Sequence, residues 1–180
     1  MSDSLSEAEM IRLWAKHTQL EFETKDAVAT VATMTADNYV NHVPVMTGGR
    51  GREEMIEFYG KYFIPQMPAD TSLRLLARTL GKNRLIDEFV FSFTHDIPMA
   101  WMLPGISPTY RKVEVPMVVV VEFQGDKICC ERIYWDQASV LVQIGLLDPN
   151  TLPVAGVESA RKFEDPQLPA NELMRRSREM

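Results

Sequence analysis

The chain has little of what marks several large classes of protein. Among 180 residues there are two cysteines, Cys129 and Cys130, adjacent in sequence. Neighbouring residues of a strand point to opposite faces, so these two cannot pair with each other, and no third cysteine offers a partner. A disulfide framework is excluded. Both thiols read as small buried apolar residues rather than as zinc ligands or a redox pair. Histidine is also scarce: His17, His42 and His95 are the three present. No two of them have helical or hairpin ligand spacing, so no metal is expected. Positive charge is not in excess, since 19 Lys and Arg stand against 25 Asp and Glu, for a net charge of −6. That excludes a broad nucleic-acid footprint and argues against an anionic membrane surface. No apolar run is long enough to span a bilayer, and Met1-Ser2-Asp3-Ser4 lacks the basic start and apolar stretch of a signal peptide. A cytoplasmic protein with no nucleic-acid or membrane partner is the expectation. The richest glycine stretch, Thr47-Gly48-Gly49-Arg50-Gly51, lacks the Lys-Ser/Thr of a phosphate-binding loop and the spacing of a dinucleotide fingerprint. It reads as a tight turn, and no cofactor is expected.

What is present is a 46% hydrophobic composition, enough for one sizeable core. Ser6-Glu7-Ala8-Glu9 has capping-box spacing and opens a helix with Met10, Leu13, Trp14 and His17 on one face. Two more helical patterns follow, over residues 25–34 and 52–63, separated by a short alternating stretch over 39–46 in which Pro44 suggests an edge or a bulge. The period then changes to two. Strands are predicted over 72–80, 84–95, 112–123 and 128–135, joined by the turn signals Gly81-Lys82-Asn83 and Gln124-Gly125-Asp126-Lys127 and by a Pro-rich loop over 97–110. A last helix is predicted over 137–146. Residues 148–180 form a Pro-punctuated tail expected to wrap a surface with little regular structure, so the domain proper is 1–147. Helices first and antiparallel strands after them define an α+β layout: a curved sheet packed on helices, with a hollow on its concave side.

One carboxylate stands out. In Glu131-Arg132-Ile133-Tyr134-Trp135-Asp136-Gln137, Asp136 lies where an apolar strand gives way to an apolar helix. It can be the helix N-cap, or a general acid/base pointing into the hollow. Arg132 and Tyr134 share its strand face by period two. Asp87 and Glu88 are mid-strand acids, one of which must face inward or pair with another charge. His95 shares a face with Phe89, Phe91 and Phe93 and can be either a structural residue or a donor to a developing enolate.

The run from Gly125 to Gly145, with Asp136 seven residues before Gln143-Ile144-Gly145, resembles the SnoaL-like polyketide cyclase family. So do Thr94-His95-Asp96 followed by Pro104-Gly105-Ile106-Ser107-Pro108-Thr109-Tyr110-Arg111, and Tyr39-Val40-Asn41-His42 ahead of the Gly-rich turn. The resemblance covers about Glu7 to Leu147. It implies the nuclear transport factor 2-like cone, in which N-terminal helices pack on a strongly curved antiparallel sheet around a pocket. By position it assigns Asp136 as the acid/base and His95 as its pocket partner. Tyr39, His42, Trp14, His17, Tyr59, Phe91, Phe93, Trp101, Met102, Met117, Arg132 and Tyr134 are the expected substrate-binding residues. Tyr110 departs from the family glycine and makes the rim bulkier. The function expected is cofactor-free cyclisation or isomerisation of a small, apolar or aromatic, carbonyl-bearing metabolite. The alternatives are hydration, dehydration or epoxide opening with Asp136 orienting a water, in an Asp87–Arg132–Asp136 set, and a binding module without chemistry. A homodimer through the outer sheet face is expected, because Val118 and Val120 make the strand over 112–123 apolar on both sides.

Overall fold

The computed structural model describes residues 5–176. Helix α1 (Glu7–Gln19) begins at the expected capping box: the Ser6 side chain accepts from the Glu9 N–H, and the Ser6 N–H donates to Glu9 Oε2 at 2.8 Å. The helix widens into a π-helical turn, Leu20–Thr24, and stops at Lys25, whose φ is 58°. Helix α2 (Ala27–Ala32) is capped by the Asp26 side chain. Strand β1 (Met34–His42) starts five residues before the predicted stretch, because Thr35-Ala36-Asp37-Asn38 carries no alternation to announce it. Pro44 falls in the turn beyond its end. The glycine turn is itself strand β2 (Thr47–Arg50), which pairs with β1. Helix α3 (Gly51–Glu57) also continues as a π-helical turn, Phe58–Phe63.

The long strands follow the sequence pattern closely: β3 (Ser72–Gly81), β4 (Arg84–Thr94), β5 (Lys112–Gln124) and β6 (Lys127–Trp135). With β1 and β2 they form a six-stranded sheet in the order β2-β1-β6-β5-β4-β3. The sheet curls without closing. Every pairing is antiparallel except β1 with β6, where Val40 registers with Glu131 and His42 with Ile133. On the concave face Phe89, Phe91, Val115, Met117, Val119 and Ile133 meet Met10, Trp14, Phe58 and Tyr59 in one core cluster. Alternation puts this face of each strand inward. Burying those side chains is the main stabilisation of the cone, at roughly 1.5–3 kcal/mol for each large one.

Helix α4 (Gln137–Gln143) folds back over the outer face, where the Glu114 N–H donates to Gln143 Oε1 at 2.9 Å. The tail has more regular structure than its prolines suggest. Helix α5 (Glu158–Glu164) buries Ala160 and pairs Glu164 with Arg74 of β3, and α6 (Glu172–Arg176) follows. Ser139 Oγ donates to Gly156 O at 2.8 Å, tying the tail to α4. The thiols are free; Cys130 is buried as expected, whereas Cys129 is only partly covered. No helix among the described residues is long and apolar enough to cross a membrane.

Candidate functional site

A cavity of about 480 Å³ opens between α1 with its π turn, the segment 67–73 and the concave face of the sheet. Small-molecule sites have this size. Trp14, Phe58, Tyr59, Phe63, Phe89, Phe91, Trp101 and Met117 give it an apolar, largely aromatic wall. The carboxylates on that wall are Glu21, Glu23, Asp87 and Glu131. Both π-helical turns contribute: the first places Glu21, Phe22 and Glu23, the second Phe58, Tyr59 and Phe63. π-Turns of this kind often lie at functional sites, because the extra residue per turn re-aims side chains.

The inner end is built around His17, which is fully buried. Its Nδ1 lies 2.6 Å from Thr33 Oγ1. The Thr33 hydroxyl donates its own proton to Thr30 O at 2.6 Å, so Thr33 accepts and His17 Nδ1 is the donor. That leaves Nε2 facing Glu21 Oε1 at 3.1 Å, Glu131 Oε1 at 3.2 Å and the Tyr59 hydroxyl at 3.3 Å. Burial alone would lower the His17 pKa, but Glu131 and Glu21 overcome it and push it up to about 10. His17 is therefore an imidazolium between two carboxylates. Glu131 is raised above the ordinary carboxylate value by burial; His17 draws it back and Glu21 pushes it further up. Burial, with Glu131 and Glu21 beside it, lifts the Tyr59 phenol well above its usual range, so it stays a hydrogen-bond donor. Glu131 Oε1 lies 3.2 Å from His17 Nε2 in an ion pair and has no other partner among the described residues.

A second polar group flanks the first. Asp87, on the inward face of β4, takes both prongs of the Arg78 guanidinium, Nε at 2.6 Å and a terminal nitrogen at 2.7 Å. The Trp14 indole N–H donates to the same carboxylate at 2.9 Å. Such a bidentate, thrice-bonded carboxylate is held rigidly. His42, at the end of β1, packs against Trp101, Phe63 and Phe58 with ring centroids 5.0, 5.8 and 5.9 Å away. Burial lowers its pKa to about 3, so its imidazole is neutral at physiological pH.

Of the residues singled out in the sequence, the cavity wall contains Trp14, His42, Tyr59, Phe91, Trp101 and Met117. His17 stands directly behind it. Phe93 and Met102 are fully buried in the core away from the wall. Tyr39, Arg132 and Tyr134 point to the outer face, where Arg132 pairs with Glu122 at 2.5 Å and Tyr134 is 43% exposed. Asp136 is on the same side. It is exposed and caps α4, its Oδ1 accepting from the Ser139 N–H at 3.2 Å. Asp87, Arg132 and Asp136 thus do not converge: Asp87 is bonded inside to Arg78 and Trp14, and the other two lie outside. His95 is buried at the end of β4, with Nδ1 accepting from the Thr109 N–H at 3.3 Å, and it pins the returning loop. Burial lowers its pKa. Glu21, Arg78 and Glu131 lie outside the set of residues that the sequence pattern assigns to the site. The available signals were the i,i+4 spacing of His17 and Glu21, and the parity that Glu131 shares with Ile133 and Trp135.

These features place the molecule among the cone-shaped α+β proteins with a ligand-sized hollow. Residues 15–131 match the model of the SnoaL-like domain, and the chain belongs to that family. No curated protein matches the sequence. Solved structures with the same fold include TsrD from Streptomyces laurentii, at 17% identity and TM-score 0.63, covering 79% of this chain and 99% of that one. A SnoaL-like polyketide cyclase candidate from Jannaschia sp. CCS1 is similar at 16% identity and TM-score 0.61, covering 82% and 99%. The epoxide hydrolase/cyclase-like enzyme SalBIII is similar at 15% identity and TM-score 0.54, covering 76% and 95%. At such identities the likeness is one of fold.

Proposed function

We propose that the cavity is the active site of a proton-transfer enzyme of the cyclase or isomerase type, acting without a cofactor on a small, mainly apolar, carbonyl-bearing molecule. The observation that carries this reading is Glu131: a buried carboxylate on an aromatic wall, raised in pKa by burial, whose one partner among the described residues is the His17 ring. A base that removes a proton next to a carbonyl needs such a raised pKa and a free lone pair. In the proposed reaction Glu131 takes the proton from the carbon beside the carbonyl and returns it at the end of the bond rearrangement. The Tyr59 hydroxyl donates to the enolate oxygen, and the His17 imidazolium balances the ionised carboxylates. The role the sequence suggested for Asp136 passes to Glu131, five positions earlier in the chain.

The test uses wild type, Glu131→Gln and Asp136→Asn, each incubated in D₂O with a metabolite extract and read by mass spectrometry. A compound that gains deuterium or changes retention with wild type and Asp136→Asn, and at least about 100-fold more slowly with Glu131→Gln, supports the assignment. Equal turnover by Glu131→Gln removes Glu131 from the chemistry.

A further inference from the structure

His42 is a residue that the proposed proton transfer does not use and that folding does not explain. It is 4% exposed, yet its ring hydrogen-bonds no described residue, and its Nδ1 is buried. A buried polar atom without a partner is a cost to the folded state, and native proteins rarely carry one without a reason. The aromatic rings around it, Phe58, Phe63 and Trp101, would pack as well against a phenylalanine. The position of His42 supplies the reason. Val40 and His42 of β1 register with Glu131 and Ile133 of β6, and all four side chains face the cavity. Two residues along and one strand across puts the Cα atoms of His42 and Glu131 about 8 Å apart on one wall. Among the described residues, His42 Nδ1 has no hydrogen-bond partner and Glu131 Oε1 has only the His17 ion pair, and Thr71 Oγ1 of the same lining is likewise unpartnered.

We propose that His42 is a specificity residue, and that the ligand of this cavity carries two oxygen functions on an apolar frame, one reacting at Glu131 and the other hydrogen-bonded by the His42 imidazole. This rests on the proton-transfer reading for the first oxygen and goes beyond it for the second. A neutral imidazole suits this role, because it offers one donor and one acceptor and meets a hydroxyl or a carbonyl without bringing a charge into the aromatic wall. A site built to hydrogen-bond a substrate oxygen discriminates strongly against the analogue that lacks it, because its own polar group is then left unpaired.

The probes are 1-tetralone and 6-hydroxy-1-tetralone, which share an exchangeable carbon beside the carbonyl and differ by one hydroxyl at the far end of the ring system. Binding is followed by tryptophan fluorescence, since Trp14 and Trp101 line the cavity. Wild type is expected to bind the hydroxylated ketone about tenfold more tightly, the effect of one good hydrogen bond. In His42→Phe the two ketones bind equally; His42→Gln, which keeps a donor and an acceptor, restores part of the preference. His42→Phe melts at or above the wild-type temperature. A ratio near one in wild type, or a tenfold ratio that survives in His42→Phe, overturns the proposal. So does a fall in melting temperature in both variants, which would make His42 an ordinary core residue. Deuterium uptake beside the carbonyl is read in the same samples. If neither ketone exchanges while the binding ratios behave as described, the Glu131 reading fails and the His42 reading stands.

Discussion

At the scale of single residues, the two buried histidines near the cavity have opposite linkage to pH. His17 is raised from 6.5 to about 10 in the folded chain. The stability it contributes is fully present below pH 6.5 and is lost as pH rises towards 10. A His17→Gln variant, followed by urea midpoints across that window, should show a flatter alkaline limb than wild type. His42 is lowered from 6.5 to about 3, so its contribution is present above 6.5 and lost as pH falls through 3. His42→Phe should flatten the acid limb and leave the alkaline one alone; the reverse pattern would show the assignments to be exchanged. Asp136 belongs to this scale too. Asp136→Ala should lower stability by about 1 kcal/mol through the lost cap and leave turnover unchanged, checked by denaturation and by the deuterium assay. That role was legible, since an Asp ahead of an apolar helix is an N-cap first. The site carboxylate was less so. Glu131 shares parity with Ile133 and Trp135, whereas Asp136 shares it with Arg132 and Tyr134, and the apolar character of one parity is what marks the inner face. His17 and Glu131, 114 positions apart (131 minus 17), meet through tertiary packing that no local spacing reports.

At the scale of elements, sequence period found β3 to β6 and the capping box found the start of α1, because each depends on local chemistry. The misjudged elements are those where local preference is overruled. Strand β2 is Thr-Gly-Gly-Arg, a poor strand sequence that is held in place by pairing with β1. Gly48 shows why a side chain is excluded there: a Cβ would lie 2.0 Å from Val40 O, and φ is +138°. Gly48→Ala should therefore destabilise the protein by more than about 2 kcal/mol, measured by chemical denaturation, and should disturb Val40, which lines the cavity beside His42. The π-helical turns were also invisible, since helix periodicity continues through them. They matter because Glu21 and Tyr59 reach the cavity from those turns.

At the scale of the molecule, the α+β cone was legible from element order and the family resemblance, and the family match agrees. The tail was not, because prolines mask short helices. Helices α4 and α5 cover the outer face at the end of the sheet near Glu114 and Arg74. The other end, with Val118, Val120, Ile86 and Tyr134, has partly exposed apolar side chains. We propose that a second copy of the chain covers this half, as apolar patches of this kind usually mark association surfaces. Sedimentation should find a dimer at micromolar concentration, and Val118→Arg should dissociate it without emptying the cavity of bound ketone; a monomeric wild type would sink the idea.

The parallel pairing of β1 with β6 has a consequence for how the protein comes into being. Val40 must wait for Glu131, about ninety residues later, before its strand has a partner on the core side. During synthesis the apolar faces of α1, α3 and the π-helical turns that extend them therefore leave the ribosome well before the wall that covers them. Contacts of such long sequence separation form late and slowly, and the unfinished chain exposes apolar surface meanwhile. A chain stalled before Lys127 should be digested readily by protease and held by chaperones, while one stalled far enough beyond α4 for β6 to emerge should resist digestion. Binding competence then arrives in one step, with the strand that brings Glu131.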